Sequence, residues 1–365
     1  VTTIRLHLSG DAGDRSYDIV CGSGLLAGFG ARLQAAGARR AVVIADAAIA
    51  TTHAAAVARS LAAADLDEAI VTVPSGEASK SVEMIGRIWD EMARLAVDRS
   101  THVVAVGGGV IGDLAGFAAA SFARGVPFWQ VPTTLVAQVD SAIGGKTGIN
   151  LSAGKNLVGA FWQPRGVIAD IDTLASLPDR EFTSGLAEVV KYGMILDEGF
   201  FTWLEQHAGD LLARNPEAVG QAVLRSAALK ADVVEKDERE LSGLRAALNY
   251  GHTFGHAYEA AAGYGTLLHG EAVAMGMARA ARLAALLGRV SQSLVVRQDS
   301  LLRRLGLPIA PGAEHRFDDA ELLAIMARDK KSLGGRLRFV LPDRIGHVEL
   351  VEGIDAAAVR RALHG

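Results

Sequence analysis

An α/β Rossmann-like domain over residues 1–175, followed by a mostly α-helical domain over 176–365, is the fold class that the sequence predicts. Three observations carry it. The 365 residues exceed the usual size of a single hydrophobic core. From about residue 40, short β-branched runs alternate with alanine-rich amphipathic stretches, the beat of a parallel sheet covered by helices. That beat stops near Leu174–Pro178, and long helical patterns replace it.

Taken in order, Val1 to Tyr17 alternates apolar and polar residues, with Asp11, Asp14 and Arg15 among them, and lacks the uninterrupted apolar core of a signal peptide. Strands are expected at Ala41–Ala45, Ala69–Val73, His102–Val106, Phe128–Val131 and Gly166–Ile171, with helices at Thr51–Ala64 and Lys80–Leu95. The second half reads as helices at Arg180–Ile195, Pro216–Glu238, Leu244–Ala262 and Gly270–Leu287, separated by glycine, proline and asparagine signals. Leu337–Leu341 and His347–Val351 close the chain as an expected hairpin.

Half of the residues are hydrophobic and 21% are charged, a balance that suits a soluble globular enzyme with a large core. The formal net charge of −4, with Lys and Arg scattered, lacks the basic stripe of a nucleic-acid binder, so small molecules are the expected partners. Cys21 is the single cysteine, which rules out an intrachain disulfide and any multi-cysteine metal site, and fits a reducing cytoplasm. No apolar run reaches the length of a bilayer span.

The strand His102–Val106 runs into Gly107-Gly108-Gly109-Val110-Ile111-Gly112-Asp113 and then a helical stretch. Glycines at such a turn let backbone N–H groups approach a pyrophosphate at a helix N-terminus, although a tight turn without a ligand would read similarly. Asp46 ends a strand, and Gly76, Glu77 and Lys80 lie in the next strand-to-helix turn. A second glycine-rich segment, Asp140 to Asn150 with Gly154-Lys155-Asn156 beyond, carries Lys146 and Lys155. Lysines among glycines suit a phosphorylated ligand. Glu188 and Lys191 are three apart and share a helix face, while Arg245, Asn249, His252 and His256 recur at helical spacing within Leu244–Ala262. Taken alone, His252 and His256 suggest two ligands of one metal; His269 and Glu188 complete a set that suits Zn²⁺ or a similar divalent ion.

The blocks Gly107–Asp113, Pro132–Asn150 (PTTLVAQVDSAIGGKTGIN), Gly154–Pro164 (GKNLVGAFWQP), Gly185–Gly193 (GLAEVVKYG), Asn249–Ala257 (NYGHTFGHA) and Leu268–Ala272 (LHGEA) resemble the 3-dehydroquinate synthase family of sugar-phosphate cyclases, from about Gly76 to Leu341. The resemblance implies the dehydroquinate synthase-like fold, a homodimer, and the shikimate pathway of aromatic amino-acid biosynthesis. It implies that 3-deoxy-D-arabino-heptulosonate 7-phosphate becomes 3-dehydroquinate and phosphate, with NAD reduced and reoxidised in each turnover and one divalent ion, Zn or Co, bound. NAD contacts are implied for Asp46, Glu77, Lys80, Gly108, Gly109, Val110, Asp113, Thr133, Thr134 and Lys155. The metal is assigned to Glu188, His252 and His269, which turns His256 toward the substrate phosphate. Asp140, Lys146, Asn156, Lys191, Lys230, Glu240, Arg245, Asn249 and Lys330 or Lys331 would line the substrate pocket, with Arg124 reaching into a dimer partner's site.

Two positions depart from the family pattern. Ser176 stands near the NAD site where a threonine is usual, and Leu241 and Ser242 fill a space between Glu240 and Gly243 that usually holds one residue. Among related activities, Lys230 and Arg245 favour a substrate carboxylate over valiolone-type and inosose-type cyclisation, and Lys191 within an intact block disfavours the aminodehydroquinate variant. A metal-dependent polyol dehydrogenase would not need the cluster Asp140–Asn156, and a silent NAD-binding regulator would not need so complete a polar set.

Overall fold

The computed structural model describes residues 1–10, 13–263, 265–312, 317–329 and 337–364. The chain folds as two compact units, Val1–Leu177 with Ser226–Arg239, and Pro178–Arg225 with Glu240–Gly365. The stretch Ser226–Arg239, expected with the helical half, thus packs with the first unit, where Ala227, Ala231 and Val234 are buried.

The first unit is built on a seven-stranded sheet. In chain order its strands are β1 (Thr2–Leu6), β2 (Tyr17–Gly22), β3 (Arg40–Asp46), β4 (Asp67–Val73), β5 (His102–Gly107), β6 (Phe128–Pro132) and, after a hairpin of β7 (Lys146–Leu151) and β8 (Gly154–Phe161), β9 (Gly166–Asp170). The order across the sheet is β1-β2-β9-β6-β5-β3-β4, parallel except for β1, which pairs antiparallel with β2. The helices α1 (Phe29–Ala35), α2 (Ala55–Ala62), α3 (Val82–Arg94) and α4 (Gly109–Ser121) accompany it. Successive residues of β3 feed different cores: Val43 and Ala45 join Phe29, Leu33, Val57 and Leu61 of α1 and α2, whereas Val42 and Ile44 join Ile85, Ile88, Leu114 and Ala118 of α3 and α4. Both faces of the sheet are therefore covered, which is why its central strands read as continuous apolar runs. Cys21 lies buried in β2, where desolvation pushes its thiol up to about 12 and so disfavours the thiolate.

The second unit holds α5 (Asp179–Leu196), α6 (Glu198–Leu212), the first half of α7 (Pro216–Lys236), α8 (His252–Ala261), α9 (His269–Leu286), α10 (Gln292–Arg304), α11 (Asp319–Asp329) and α12 (Ala356–His364), with a hairpin of β10 (Arg338–Arg344) and β11 (His347–Glu352) that packs on α5 and α9. The continuous helix expected over 244–262 is broken. Leu244–Asn249 is a 3-10 turn, and Gly251, at φ +79°, ends it before α8 begins. Arg245 and Asn249 therefore do not continue the helical line of His252 and His256. Among the described residues no helix is long and apolar enough to cross a membrane.

Candidate active site

Within the first unit, β3 pairs with β4 on one side and β5 on the other, so the chain's path reverses direction between β3 and β5. Ligands of open α/β sheets bind beyond the carboxyl ends of strands at such a switch point. Asp46 stands at the end of β3 and Gly107–Gly109 at the end of β5. A Cβ on Gly108 would lie 3.1 Å from Thr134 Cγ2, and one on Gly109 would lie 3.0 Å from Ser141 Oγ, so glycine keeps this turn uncrowded. The turn is tied down by the Thr133 N–H, which donates to the Gly107 carbonyl at 2.9 Å. No side chain caps α4 and its first turn carries no acid, which leaves its N-terminal N–H groups suited to a phosphate. These features fit the pyrophosphate of a dinucleotide.

Beside this turn the charged residues bind one another. Lys80, 5% exposed, donates to Asp113 and to the Asn156 side-chain oxygen. The Asn150 amide donates to Glu77 at 2.7 Å and its oxygen accepts the Asn156 N–H at 2.9 Å, with Asn156 held at φ +55°. Burial raises the Asp113 carboxyl, and Glu77 adds to the rise, while Lys80 and Lys230 oppose it. Lys230, from the second half of α7, donates to the Asp140 carbonyl at 2.6 Å and its carboxylate at 2.8 Å. Asp46 accepts from Ala48 N–H and from Ser75, and so caps the turn after β3. Lys146 begins β7, and Val110 and Lys155 are half-buried. Ser176 is exposed and hydrogen-bonded to His53 at 2.8 Å. Arg124 is exposed beyond the far end of α4, about 20 Å from Gly109 by helical rise.

In the second unit, Glu188 projects from α5, His252 begins α8 and His269 begins α9. Two backbone approaches bring them together. A Cβ on Gly270 would lie 1.8 Å from the Ser184 carbonyl oxygen, and one on Gly276 would lie 2.0 Å from that of Gly251. The Gly270 N–H also donates to Ser184 Oγ at 3.0 Å, which sets His269 beside the residue one turn after Ser184, Glu188. Glu188 Oε1 then lies 3.6 Å from Nε2 of His252 and 3.5 Å from Nε2 of His269. Those separations are long for hydrogen bonds, but two ligands of a tetrahedral ion with bonds near 2.1 Å stand about 3.4 Å apart.

The protonation states fit the same use. Burial, with Lys191 adding to it, pushes His252 well below its ordinary value, and its Nδ1 lies 3.1 Å from the Tyr250 carbonyl, so its Nε2 lone pair faces Glu188. At His269, burial acts downward but Glu188 and Glu259 outweigh it, raising the imidazole to about 10. Glu188 and Glu259 thus place negative charge on both sides of this ring, a setting that favours a cation. Three ligand atoms of Glu188, His252 and His269 lie within 4.8 Å of one another, so this donor set fits a divalent ion. The spacing-based pair of His252 and His256 does not; His256 falls instead with Glu259 and His269. Lys191 pairs with the second Glu188 oxygen, both side chains being almost wholly buried. Arg245, 2% exposed, lies 3.5 Å from Glu240, which sits at φ +58° beside the exposed Leu241, and half-buried Asn249 ends the turn. Lys330 and Lys331 lie outside the described residues. Sequence reasoning missed Asn150 as a linker of Glu77 and Asn156, and missed Glu259, whose position seven residues after His252 was the available signal.

Residues 70–184 match the family described as 3-dehydroquinate synthase N-terminal, and residues 185–332 match 3-dehydroquinate synthase C-terminal. The chain is 50% identical over 358 residues to 3-dehydroquinate synthase of Rhodopirellula baltica, covering 96% of this chain and 95% of that one. It is 46% identical over 348 residues to the enzyme of the same name from Neisseria meningitidis, covering 95% and 96%. Among solved structures, 2-epi-5-epi-valiolone synthase from Streptomyces hygroscopicus with NAD⁺ and Zn²⁺ bound superposes with a TM-score of 0.87 at 29% identity, over 95% of this chain and 96% of that one. A 2-deoxy-scyllo-inosose synthase complexed with carbaglucose-6-phosphate, NAD⁺ and Co²⁺ gives 0.87 at 26%, over all of both chains.

Proposed function

The chain belongs to the 3-dehydroquinate synthase family, and from that premise we infer that it converts 3-deoxy-D-arabino-heptulosonate 7-phosphate into 3-dehydroquinate and phosphate. It is an NAD- and divalent-metal-dependent lyase of the sugar-phosphate cyclase type. The observation that carries the reading is the match to 3-dehydroquinate synthases along nearly the whole chain, and the buried cations Arg245 and Lys191, each beside a carboxylate, are consistent with an anionic substrate.

When bound, NAD would supply reversible hydride transfer and a divalent ion would supply Lewis acidity toward a substrate alcohol. The chain's own residues bind and orient. Glu188, His252 and His269 hold the ion, and Asp46, Glu77, Lys80, Gly108, Gly109, Val110, Asp113, Thr133, Thr134, Lys155 and Ser176 bind or flank the dinucleotide. Arg245 and Lys230 supply charge for the substrate carboxylate, Lys230 being held by Asp140. His256 and Lys330 or Lys331 receive the phosphate, with Lys146, Asn156, Lys191, Glu240 and Asn249 completing the polar lining. In the substrate, oxidation of the C5 alcohol acidifies the neighbouring C–H, phosphate is eliminated, the ketone is reduced again, and ring opening and aldol closure follow. The protein contributes chiefly positioning and electrostatics.

The reading includes a cytoplasmic homodimer in which Arg124 serves the partner's site; its position at the opposite end of α4 from the glycine turn supports that use. The test of function is phosphate release from the seven-carbon substrate with and without a chelator, at sub-stoichiometric NAD. Many product molecules should form per NAD, and exhaustive chelation should stop them. NADH absorbance rising one-for-one with product would sink the cyclase reading in favour of a dehydrogenase.

A further inference from the structure

Glu259 is a carboxylate only 7% exposed, on the same face of α8 as His252 and His256, seven and three residues before it. Its Oε2 lies 3.6 Å from Nδ1 of His269, while Nε2 of that ring faces Glu188 at 3.5 Å. A neutral imidazole carries one N–H and one lone pair, and a carboxylate at ion-pair distance on the Nδ1 side draws the N–H there and leaves the lone pair to Nε2. His252 receives the same direction from the Tyr250 carbonyl at 3.1 Å. The two rings are thus aimed alike, one by a carbonyl and the other by a charged carboxylate, which also makes the ring a stronger donor.

We propose that Glu259 is a positioning residue that fixes the tautomer and orientation of His269 toward the divalent ion. The proposal rests on the reading that Glu188, His252 and His269 hold that ion. It competes with one other arrangement, since His256, Glu259 and His269 also offer ligand atoms within 4.8 Å of one another, which would make Glu259 a ligand of a second ion.

Zinc titration of the metal-stripped full-length chain against a chromophoric chelator separates these cases. Wild type should take up one zinc per subunit. Glu259→Ala should bind it about 10- to 100-fold more weakly. Glu259→Gln, which keeps an acceptor but no charge, should lose less, and Glu259→Asp should recover part of the loss. NAD affinity by fluorescence and the metal-free unfolding midpoint of Glu259→Gln should match wild type, which a merely structural role for the residue would not give together with weakened zinc binding. Zinc affinity within about twofold of wild type in both Glu259→Ala and Glu259→Gln would overturn the proposal. So would two zinc ions in wild type and one, still tight, in the variants. A wild-type chain that binds no zinc would overturn the underlying metal reading along with it.

Discussion

The first unit gathers its polar residues at the ends of strands, where Lys80, Asp113, Asn156, Asn150 and Glu77 bind one another, whereas the second gathers Glu188, His252 and His269 from three separate helices onto one carboxylate oxygen. In the first, a ligand meets side chains already positioned by their neighbours, and glycine keeps the backbone open to it. In the second, glycine seams draw helix backbones together, so that the donor set exists only because α5, α8 and α9 touch. The difference teaches that one kind of site is set by local chain and the other by tertiary packing. Substitutions should therefore fail in different ways in the two units.

The largest effect is expected at the point of convergence. Glu188→Ala should abolish retention of the ion in metal analysis and lower the rate of phosphate release about 1000-fold, corresponding to about 4 kcal/mol of lost stabilisation, while NAD binding persists. Retained metal with near-normal turnover would mean that the second unit does not depend on this carboxylate.

Next comes the seam itself. In Gly270→Ala a methyl group would meet the Ser184 carbonyl at 1.8 Å, backbone that cannot swing aside. A loss of about 3 kcal/mol in denaturant unfolding is expected, with weakened metal binding although no ligand has been changed. An unaltered midpoint would show that α9 can shift without cost, and would erase the contrast between the units.

Arg245→Ala tests a residue that neither holds metal nor touches the glycine turn. The specificity constant for the carboxylated substrate should fall roughly 10- to 150-fold, on the order of 1.5–3 kcal/mol, with metal and NAD binding intact. Near-wild-type kinetics would show that another group takes the carboxylate. The smallest effect belongs to the first unit: Gly108→Ala places a methyl 3.1 Å from the end of the Thr134 side chain, which can give way. NAD titration should show roughly 5-fold weaker binding, about 1 kcal/mol, with little change in the unfolding midpoint. A large drop in that midpoint would make the first unit as dependent on close backbone contact as the second.

The same contrast governs what could be read from sequence. The β5 turn and the segment Asp140–Asn156 are each continuous in sequence, so glycine spacing and interleaved lysines exposed them directly, and the short β-branched runs recurring between helical stretches exposed the sheet. Glu188, His252 and His269 are far apart in the chain, and spacing alone favoured His252 with His256, because four residues on a helix is a local signal and convergence of three helices is not. Tyr250–Gly251 broke the expected helix over 244–262 through a positive φ that helical periodicity does not register. The hairpin of β7 and β8 was hidden in a segment whose glycines mimic a loop. The helices α6, α10, α11 and α12 were passed over because their amphipathic patterns carry no chemistry.

The division of α7 between the two units has a consequence in time. Everything up to Leu177 leaves the ribosome well before Ser226–Arg239, yet that later stretch belongs to the same compact unit. At about 5–20 residues per second, the early part waits several seconds for its last packing partner. During that interval the surface that will receive Ala227, Ala231 and Val234 is uncovered, and Asp140 lacks Lys230. The first unit, although it begins the chain, cannot finish folding until Arg239 has emerged, and a fragment ending at Leu177 should behave as an incomplete fold prone to self-association.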